Sequence, residues 1–399
     1  MKNIAYLANY QGDDLIRQRK IDRNRALAGT QKIATVSSLL AAAGCSVSVF
    51  SLGAVAERSG RLYPAFESRL PGAAAIPVFY QPEWDIPVLG RIRGVAGLVR
   101  SLFKAHRQNP IDAVLMYNCG LPEVVAAWLL TVIRSVPIVL EYEDDVSAGP
   151  DGRKSWRQYF HSFGLRILER RLKGVVAVSP ELRARFALEN GYVLRGVLSG
   201  DLAAVEPLRE QALPQRLMYA GSLQSSKGVD KLCEAFDAMK LPGCDLHVAG
   251  QGPLLEGLRA RFGPNPRITF HGFVTREQLI DLFGKASILV NPHQVAGEVG
   301  AVFPFKLIEY IGTGRPVIST PMAPLPDPLS RGVLYSKSDS VADLAEAIEH
   351  VHGNYSLWCE QAGVSRQAAW QTYGPETVSS ALLRVFDRAI GEQKRDPLL

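Results

Sequence analysis

The sequence is poor in cysteine, and its cysteines form none of the patterns that a disulfide framework or a zinc site needs. The five cysteines are odd in number and widely spaced, without a CxxC or an HxxxH pattern. We therefore expect neither cross-links nor a bound metal, and a reducing cytoplasm is the compartment that this composition favours. The chain also lacks an apolar run of about eighteen residues, and its start, MKNIAYLANY, turns polar too early for a signal peptide. A membrane-spanning helix is not expected.

Two common nucleotide-binding motifs are missing as well. The segment VAGQGPLLEG carries two glycines at the spacing of a GxGxxG motif, but Leu255 occupies the third position and the segment lies in mid-chain. No GxxxxGK followed by Ser or Thr occurs. These absences exclude a nicotinamide-dependent oxidoreductase of the usual kind and a P-loop enzyme.

What is present indicates two well-filled domains. A chain of 399 residues exceeds the size that one core usually serves, so two domains of about 200 residues each are expected. Hydrophobic residues make up 47% of the sequence, which is enough to fill two cores. The net charge of +6 is compatible with a phosphorylated ligand, an anionic lipid surface or neither, and we expect no nucleic-acid partner.

Short apolar runs alternate with helical patterns in both halves of the chain. In the first half, strands are predicted at residues 2–8, 45–52, 112–118, 136–142 and 174–179, with a helix from Gly29 to Ala43. In the second half, the apolar runs are RLMYAGS, CDLHVAG, RITFHGF, ASILVNP and RPVIST. The aperiodic segment from Leu198 to Gln215 is the predicted linker. This alternation predicts an α/β fold with parallel sheets, which bind ligands at the carboxyl ends of their strands.

The segment VFPFKLIEYIGTGRPVIST, which begins at Val302, is the most informative part of the chain. A helix from about Pro304 to Ile311 is predicted, because proline suits the first helical position and the following glycines suit the end. The free N–H groups and the dipole of this helix favour a phosphate, and Lys306 adds a positive charge. Glu309 lies more than one turn inside, where a carboxylate can bind ribose hydroxyls. The segment therefore predicts a sugar-nucleotide site.

Four blocks of sequence, taken in order, carry a specific resemblance. They are YAGSLQSSKGVDKL at 219–232, LHVAGQGPLLEGL at 246–258, ITFHGFVTREQLIDLFGKASILVNPH at 268–293 and FPFKLIEYIGTGRPVIST. In this order they resemble the nucleotide-sugar glycosyltransferases of the GT-B fold, most closely the large retaining family four. In the first half of the chain only the fold matches, through SVPIVLEYEDD and LKGVVAVSPELRARF.

The resemblance implies two Rossmann-like domains whose parallel sheets face each other across a cleft. Residues 1–200 are then the acceptor-binding domain, and residues 201–374 are the domain that binds the nucleotide-sugar donor. A C-terminal helix within residues 375–399 is implied to pack back on the first domain. The donor substrate is then an NDP-sugar, and no further cofactor or metal is needed if Lys227 and helix dipoles balance the charge of the leaving diphosphate.

The resemblance also assigns a donor site residue by residue. Lys227 is implied to contact the diphosphate and Glu309 the ribose, while the base is held by the main chain of Phe273 and Val274. Gly250 and Gly252 are implied to let the backbone approach the nucleotide. The full set is Gly221, Ser222, Lys227, Gly250, Gly252, Phe273, Val274, Val302, Phe303, Lys306 and Glu309.

Two positions depart from the family pattern. Family members usually carry an arginine where this chain has Ser222 and a glutamate where it has Ala301. Lys306 is a candidate to replace the lost positive charge, and Glu298 is a candidate to replace the missing acid. Asp144, in an acidic run after a predicted strand, is a further candidate as a base or an acceptor ligand. The candidate catalytic residues are therefore Lys227, Glu298 and Asp144.

Together these features predict an enzyme that transfers a sugar from an NDP-sugar to a hydroxyl of a glycan or lipid-linked saccharide. The resemblance implies retention of configuration and a role in cell-surface polysaccharide synthesis. The two departures keep a second interpretation open, a non-catalytic GT-B protein that binds a nucleotide or a partner. A GT-B sugar-nucleotide epimerase is a third interpretation, and the donor motifs suit it less well.

Residues 84–107 carry information about where in the cell the protein is located. Apolar residues recur at helical spacing at Ile92, Val95, Ala96, Val99, Leu102 and Phe103, and basic residues share another face at Arg93, Arg100, Lys104 and Arg107. This pattern is typical of a helix on an anionic membrane and equally of a helix packed on a sheet. A cytoplasmic location and peripheral attachment to the cytoplasmic face of the inner membrane both stay open.

The long first loop, YQGDDLIRQRKIDRNRALAGTQ, is unusually charged. Its arginines are Arg17, Arg19, Arg23 and Arg25. They are suited to a lid over an anionic acceptor, and a solvated charged loop is the equally supported alternative.

Overall fold

The computed structural model describes residues 1–21, 27–54, 60–72, 76–143, 156–206, 215–294, 304–322 and 325–395. The chain separates into two compact units. The first unit consists of Met1–Leu194 together with Val378–Leu399, and the second is Arg195–Thr377. Each unit has an α/β architecture built on a parallel sheet, as the sequence predicts.

The first unit is built on a sheet that, within the described residues, is parallel except at one edge. The strands of this unit are β1 Asn3–Leu7, β2 Ser46–Ser51, β3 Leu62–Tyr63, β4 Phe66–Arg69, β5 Pro77–Tyr80, β6 Glu83–Trp84, β7 Ala113–Tyr117, β8 Ile138–Tyr142, β9 Leu172–Ala177 and β10 Gly191–Val193. The order is β10-β9-β8-β7-β1-β2-β5-β4, with β4 antiparallel to β5, and β3 pairs separately with β6. The winding reverses between β1 and β7, which leaves a crevice at the carboxyl ends of these strands.

Helices of the first unit pack on this sheet or on each other. They are α1 Asp13–Arg19, α2 Leu27–Ala42, α3 Pro87–Gln108, α4 Leu121–Arg134, α5 Trp156–Glu169 and α6 Pro180–Ala184. The amphipathic pattern of α4 buries Val124, Ala127 and Leu130, and α3 buries Leu98 and Leu102. Burial of such apolar faces, more than helix propensity, holds these helices in place.

The second unit has a sheet in which every described strand pair is parallel. Its strands are β11 Gln215–Ala220, β12 Cys244–Ala249, β13 Ile268–Gly272, β14 Ile288–Asn291, β15 Val317–Ser319 and β16 Val333–Tyr335. The order is β13-β12-β11-β14-β15-β16. The helices are α7 Val229–Ala238, α8 Leu255–Phe262, α9 Arg276–Lys285, α10 Phe305–Gly312, α11 Val341–Gly353 and α12 Tyr355–Tyr373, with short 3-10 helices at Gly200–Ala204 and Ser225–Lys227.

The last helix, α13 Pro375–Arg395, belongs to the first unit from Val378 onward. Its apolar face is buried there, with Leu382 and Phe386 almost fully enclosed. Asn190 donates a hydrogen bond from Nδ2 to the carbonyl oxygen of Val385 at 2.9 Å, which fixes the helix beside β9 and β10.

The segment from Leu198 to Gln215 is not a free linker over its described part. Leu198 and Leu202 are fully buried, and the backbone N–H of Leu198 donates to the carbonyl oxygen of Tyr373 at 2.9 Å. The two units divide between Leu194 and Arg195 and again after Thr377. The sequence predicts these two boundaries after residues 200 and 374. The missing periodicity, the glycine, the prolines and the charges favour a linker in this segment, and they do not reveal that two of its leucines are core residues.

Candidate functional site

In the second unit, the site residues expected from the sequence follow the carboxyl ends of neighbouring strands. Gly221 follows β11, Gly250 follows β12, and Phe273 follows β13. His293 lies just after β14, the strand that pairs with β11 on its other side. The winding reverses between β11 and β14, so the loops after these two strands border a crevice of the kind in which α/β proteins bind ligands.

The loops after β11 and β12 touch through their backbones. At Gly250 the φ angle is +142°, and a Cβ atom there would lie 1.8 Å from the carbonyl oxygen of Gly221. A Cβ atom at Gly252 would lie 2.3 Å from the carbonyl oxygen of Leu223. Both glycines are required by this contact between loops. Their approach to a nucleotide stays a prediction.

Lys227 lies at this crevice and contacts His293. It ends the short helix Ser225–Lys227, and its Nζ is 3.0 Å from Nε2 of His293. Nδ1 of the same ring is 3.0 Å from the carbonyl oxygen of Gln294. Burial and the charge of Lys227 lower the pKa of His293, so the imidazole is neutral near neutral pH.

Helix α10 is fixed against the end of β11 by one tyrosine. The hydroxyl of Tyr310 accepts a hydrogen bond from the backbone N–H of Ala220 at 2.8 Å and donates one to its carbonyl oxygen at 2.9 Å. Pro304 is the N-cap of this helix and not its first helical residue, because its ψ of 115° is extended. The helix therefore begins at Phe305, one residue later than expected.

Lys306, in the first turn of α10, has its ammonium nitrogen buried without a hydrogen-bond partner among the described residues. The nitrogen lies 4.1 Å from the ring centroid of Tyr219 and 5.9 Å from that of Tyr310. Burial, and then the charge of Lys227, lower the pKa of Lys306 to about 7. A buried ammonium without a counter-charge is costly, so this arrangement favours an anionic ligand.

Glu309 shares an arginine with a residue near the start of the second unit. Nη1 of Arg276 donates to Oε1 of Glu309 at 2.9 Å, and Nε of Arg276 donates to Oδ2 of Asp201 at 2.6 Å. Burial raises the pKa of Glu309 although Arg276 opposes the shift, and hydrogen bonds from Arg276 lower the pKa of Asp201 to about 2. The Glu309 side chain is 27% exposed, and its Oε2 accepts no hydrogen bond from the described residues. One carboxylate oxygen is thus open to a ligand.

The structure describes some of the remaining residues of the predicted donor site. The carbonyl oxygen of Ser222 accepts a hydrogen bond from the Tyr219 hydroxyl at 2.8 Å, which fixes the turn after β11. The side chain of Phe273 is 67% exposed, and Val274 beside it is half-buried. Outside the described residues lie Val302, Phe303, Glu298 and Ala301. Their proposed roles stay predictions.

In the first unit, acidic residues at the end of β8 form internal pairs. Glu141 is 1% exposed, accepts a hydrogen bond from the Tyr6 hydroxyl and lies 3.2 Å from Nζ of Lys32. Lys32 also pairs with Glu143. Glu141 is therefore not available to an acceptor. Asp144 lies outside the described residues, and its role as a base or acceptor ligand stays a prediction.

The proposed role of Arg19 in a charged lid is wrong. Arg19 ends α1 and is 1% exposed. Its guanidinium donates at 2.8 to 2.9 Å to three backbone carbonyl oxygens, those of Leu52, Ala54 and Gln81. Its charge serves the fold of the first unit. Arg17 is exposed, and Arg23 and Arg25 lie outside the described residues.

A basic groove runs between α3 and α4. Its volume is about 340 Å³, and its lining residues are Val99, Arg100, Phe103, Lys104, Arg107, Leu129 and Ile133. Of the apolar stripe expected on α3, Leu102 is fully buried and Ile92 is 61% exposed.

Among the described helices, none combines the length and the apolar character that crossing a bilayer demands. No cluster of three or more His, Cys, Asp or Glu side chains in the described residues is placed to hold a metal ion.

Sequence reasoning missed Arg276, Asp201 and the contact of His293. One signal was available for Arg276, because an arginine in the first turn of a helix opposes the helix dipole and needs a reason to be there. Asp201 lies in the segment taken as linker, so its partner was not sought. His293 follows Asn291 and Pro292 in the sequence, and nothing local indicates that a lysine lies beside it.

Two family profiles match the chain. The one described as "Glycosyl transferase 4-like domain" matches residues 30–193, and the one described as "Glycosyl transferases group 1" matches residues 214–354. The chain belongs to the group 1 glycosyltransferases. This group 1 glycosyltransferase is 29% identical over 190 residues to a D-inositol 3-phosphate glycosyltransferase from Mycolicibacterium smegmatis, a match that covers 44% of the chain and 41% of that relative. It thus spans less than half of the length of this curated relative.

Solved structures show the same fold over nearly the whole chain. HepE from Anabaena, solved in complex with UDP, is 15% identical with a TM-score of 0.65, and the likeness covers 97% of this chain and 100% of that one. WaaG, described as a glycosyltransferase involved in lipopolysaccharide biosynthesis, is 17% identical with a TM-score of 0.61 over 94% of this chain and 98% of that one. This group 1 glycosyltransferase therefore has the GT-B fold.

Proposed function

We propose that this protein transfers a sugar from a nucleoside-diphosphate sugar to a hydroxyl acceptor and that its second unit binds the donor. The observation that carries the proposal is the buried ammonium of Lys306, without a described partner, whose pKa is lowered further by the charge of Lys227. The lysine ammonium groups of Lys306 and Lys227 suit the two charges of a diphosphate. The proposal is supported by the UDP in the HepE structure, since UDP is a nucleoside diphosphate.

We further propose the course of the reaction. Positive charge and helix dipoles stabilise the diphosphate as its bond to the sugar carbon breaks. The acceptor oxygen bonds to that carbon on the same face and gives its proton to the leaving phosphate oxygen, which retains the configuration. This course needs no side-chain nucleophile. Glu298 and Asp144 are kept as candidates for assisting the sugar and the acceptor. The proposed acceptor is a glycan or a lipid-linked saccharide in cell-surface polysaccharide synthesis, in line with the likeness to WaaG.

A panel of isotopically labelled UDP-, GDP-, ADP- and TDP-sugars tests this function directly. Each donor is incubated with the protein alone and with a membrane extract that supplies acceptors. We expect release of the nucleoside diphosphate and transfer of label from at least one donor. Tight nucleotide binding without turnover of any donor would contradict the transferase and favour the non-catalytic interpretation.

Glu309 is proposed to bind the ribose hydroxyls of the donor through its open Oε2. Glu309→Gln should raise the KM for the donor about ten- to one-hundred-fold, because hydrogen bonds to a charged group are stronger than those to an amide. The kcat should change less, since the ribose is remote from the reacting carbon. Glu256→Gln is the matched control, because Glu256 is 83% exposed in α8 and pairs with Arg259. An unchanged KM in Glu309→Gln would exclude Glu309 as the ribose ligand.

We also propose that the groove between α3 and α4 binds the anionic headgroups of a membrane. Arg100, Lys104 and Arg107 supply positive charge beside the apolar side chains of Phe103 and Ile133. Each basic residue near an anionic surface contributes about 1 kcal/mol, and exposed apolar side chains add to this by insertion. This surface is suited to bring the protein to a lipid-linked acceptor.

Vesicle flotation tests the membrane proposal. The protein should float with phosphatidylglycerol vesicles at low salt, stay behind with phosphatidylcholine vesicles, and be released as ionic strength rises. The double variant Arg100→Glu/Lys104→Glu should lose most of this binding. The matched control is Lys285→Glu/Lys337→Glu, which changes the same charge at exposed positions of the second unit. Equal flotation of both double variants would contradict the proposed surface.

A further inference from the structure

His293 stands at a contact between the loops that follow β11 and β14. The backbone N–H of Gln294 donates to the carbonyl oxygen of Ser226 at 3.1 Å, which joins the two loops. Oγ1 of Thr320 donates to the carbonyl oxygen of His293 at 2.5 Å. The backbone on both sides of the imidazole is therefore fixed within the second unit, and the ring is held at one place beside the crevice.

The two ring nitrogens of His293 face groups of opposite hydrogen-bonding character. Nδ1 is 3.0 Å from the carbonyl oxygen of Gln294, which only accepts, so Nδ1 carries the hydrogen. Nε2 is 3.0 Å from Nζ of Lys227, which as an ammonium only donates, so Nε2 keeps its lone pair. The neutral ring with its hydrogen on Nδ1 satisfies both neighbours at once.

Among the residues that the structure describes, the charged groups that act on the ring oppose its protonation. Lys227 approaches from the short helix Ser225–Lys227, and Lys306 acts from α10. A second N–H, on Nε2, would point at the Lys227 ammonium and break the contact. A lysine ammonium has three N–H groups, and the one given to the imidazole sets the direction of the others.

We propose that His293 is a positioning residue, which in its neutral form holds the Lys227 ammonium toward the donor diphosphate. This inference rests on the proposed donor site. When His293 gains a proton, Lys227 is repelled from that position and the affinity for the donor falls. His293 touches neither the sugar nor the phosphates, and it acts on the donor only through Lys227.

Donor binding by calorimetry as a function of pH tests this role. The probe is the tightest binder among UDP-glucose, GDP-mannose and ADP-glucose, whose diphosphates do not titrate near neutral pH. His293→Gln places an amide oxygen near the position of Nε2 and does not titrate, whereas His293→Ala removes the acceptor. Between pH 8 and a pH below the His293 pKa that NMR gives, the wild-type affinity should fall about five-fold more than that of His293→Gln, the loss of about one hydrogen bond.

At pH 8, His293→Gln should bind the probe about as tightly as the wild type, and His293→Ala about five-fold more weakly. Protonation of Glu309 at low pH weakens binding and protonation of Lys306 near pH 7 strengthens it, but both groups are present in all three proteins, so the difference between the pH profiles reports the substitution at His293. Identical profiles for the wild type and His293→Gln would overturn the positioning role. If His293→Ala fails to fold, judged by circular dichroism, the His293→Gln profile still decides.

A second measurement needs no ligand and separates the two proposals. Nitrogen-15 NMR of the imidazole should show the tautomer with hydrogen on Nδ1, and Lys227→Met should raise the pKa of His293, because it removes the adjacent positive charge. An unchanged pKa would refute the contact. An intact contact, together with no binding of any of the three probes, would refute the donor site and the role of His293 in it.

Discussion

Lys227→Ala should lower kcat at least about ten-fold, which corresponds to about 1.4 kcal/mol of barrier. As the bond to the sugar breaks, negative charge collects on the leaving diphosphate, and a fixed ammonium stabilises that charge more in the transition state than in the ground state. Lys227 has the position for this, at the crevice between β11 and β14 with its Nζ held 3.0 Å from His293. The loss should therefore fall on kcat more than on KM.

The measurement is steady-state turnover of the donor that the labelled panel identifies. Lys231→Ala is the matched control, because Lys231 lies in the following helix, α7, and its ammonium pairs with Asp339 at 2.9 Å. Loss of such a partly exposed pair changes little, so the control should keep wild-type turnover. Wild-type kcat in Lys227→Ala would show that this lysine does not neutralise the leaving group.

The central strands of both sheets could be predicted from the sequence because they are buried on both faces. Strands such as β7, AVLMY, and β14, ILVN, are buried on both faces, and such strands are continuous apolar runs. The edge strands β10 and β16 have three residues each, and β4 alternates between exposed and half-buried positions. These segments carry too little pattern for prediction from local sequence, and tertiary pairing decides them.

For the site, the sequence predicted candidate ligating groups but not the residues that contact them. Lys227, Lys306 and Glu309 stand in local patterns of turn and helix start. Their partners do not, because His293 is 66 positions from Lys227, and Arg276 is 33 positions from Glu309. Such contacts depend on which strands become neighbours, which periodicity does not encode. The burial of Lys306 is also invisible in a sequence where lysine is normally exposed.

Lys306→Met should stabilise the folded protein while it weakens donor binding. The ammonium of Lys306 lies over the ring of Tyr219, and the flexible, polarizable chain of methionine can fill the same space beside that ring. What is removed is a buried ammonium with no described hydrogen-bond partner. We expect a gain of about 1 to 3 kcal/mol in the free energy of unfolding at pH 6, less the lost cation–π attraction. Urea denaturation measures it.

The pH dependence of this gain follows from the sign of the shift. The folded-state pKa of Lys306, about 7, is below the ordinary value of 10.5, so between these values the unfolded chain binds more protons. The free energy of unfolding of the wild type therefore rises with pH across this window, by at most about 1.4 kcal/mol per pH unit from this group. The advantage of Lys306→Met should be full below pH 7 and shrink as pH rises. A pH-independent difference would contradict the buried charge.

The control for this stability effect is Lys285→Met, which removes an ammonium of the same unit that is 58% exposed and pairs with Asp281. It should change the free energy of unfolding by no more than about 0.5 kcal/mol and leave donor binding unchanged.

Binding completes the argument for Lys306, because an anionic ligand restores the missing counter-charge. When a diphosphate binds, the pKa of Lys306 should rise, so near pH 8 the complex takes up a proton that the free protein lacks. Calorimetry in buffers of different ionisation enthalpy measures this uptake. Lys306→Met should lose it and bind the nucleotide at least about ten-fold more weakly, a typical cost of removing a charge-assisted contact. A stabilised variant with wild-type binding and unchanged proton uptake would place the diphosphate away from α10. Stabilisation combined with lost binding would show that the buried charge is kept for the ligand at the expense of the fold.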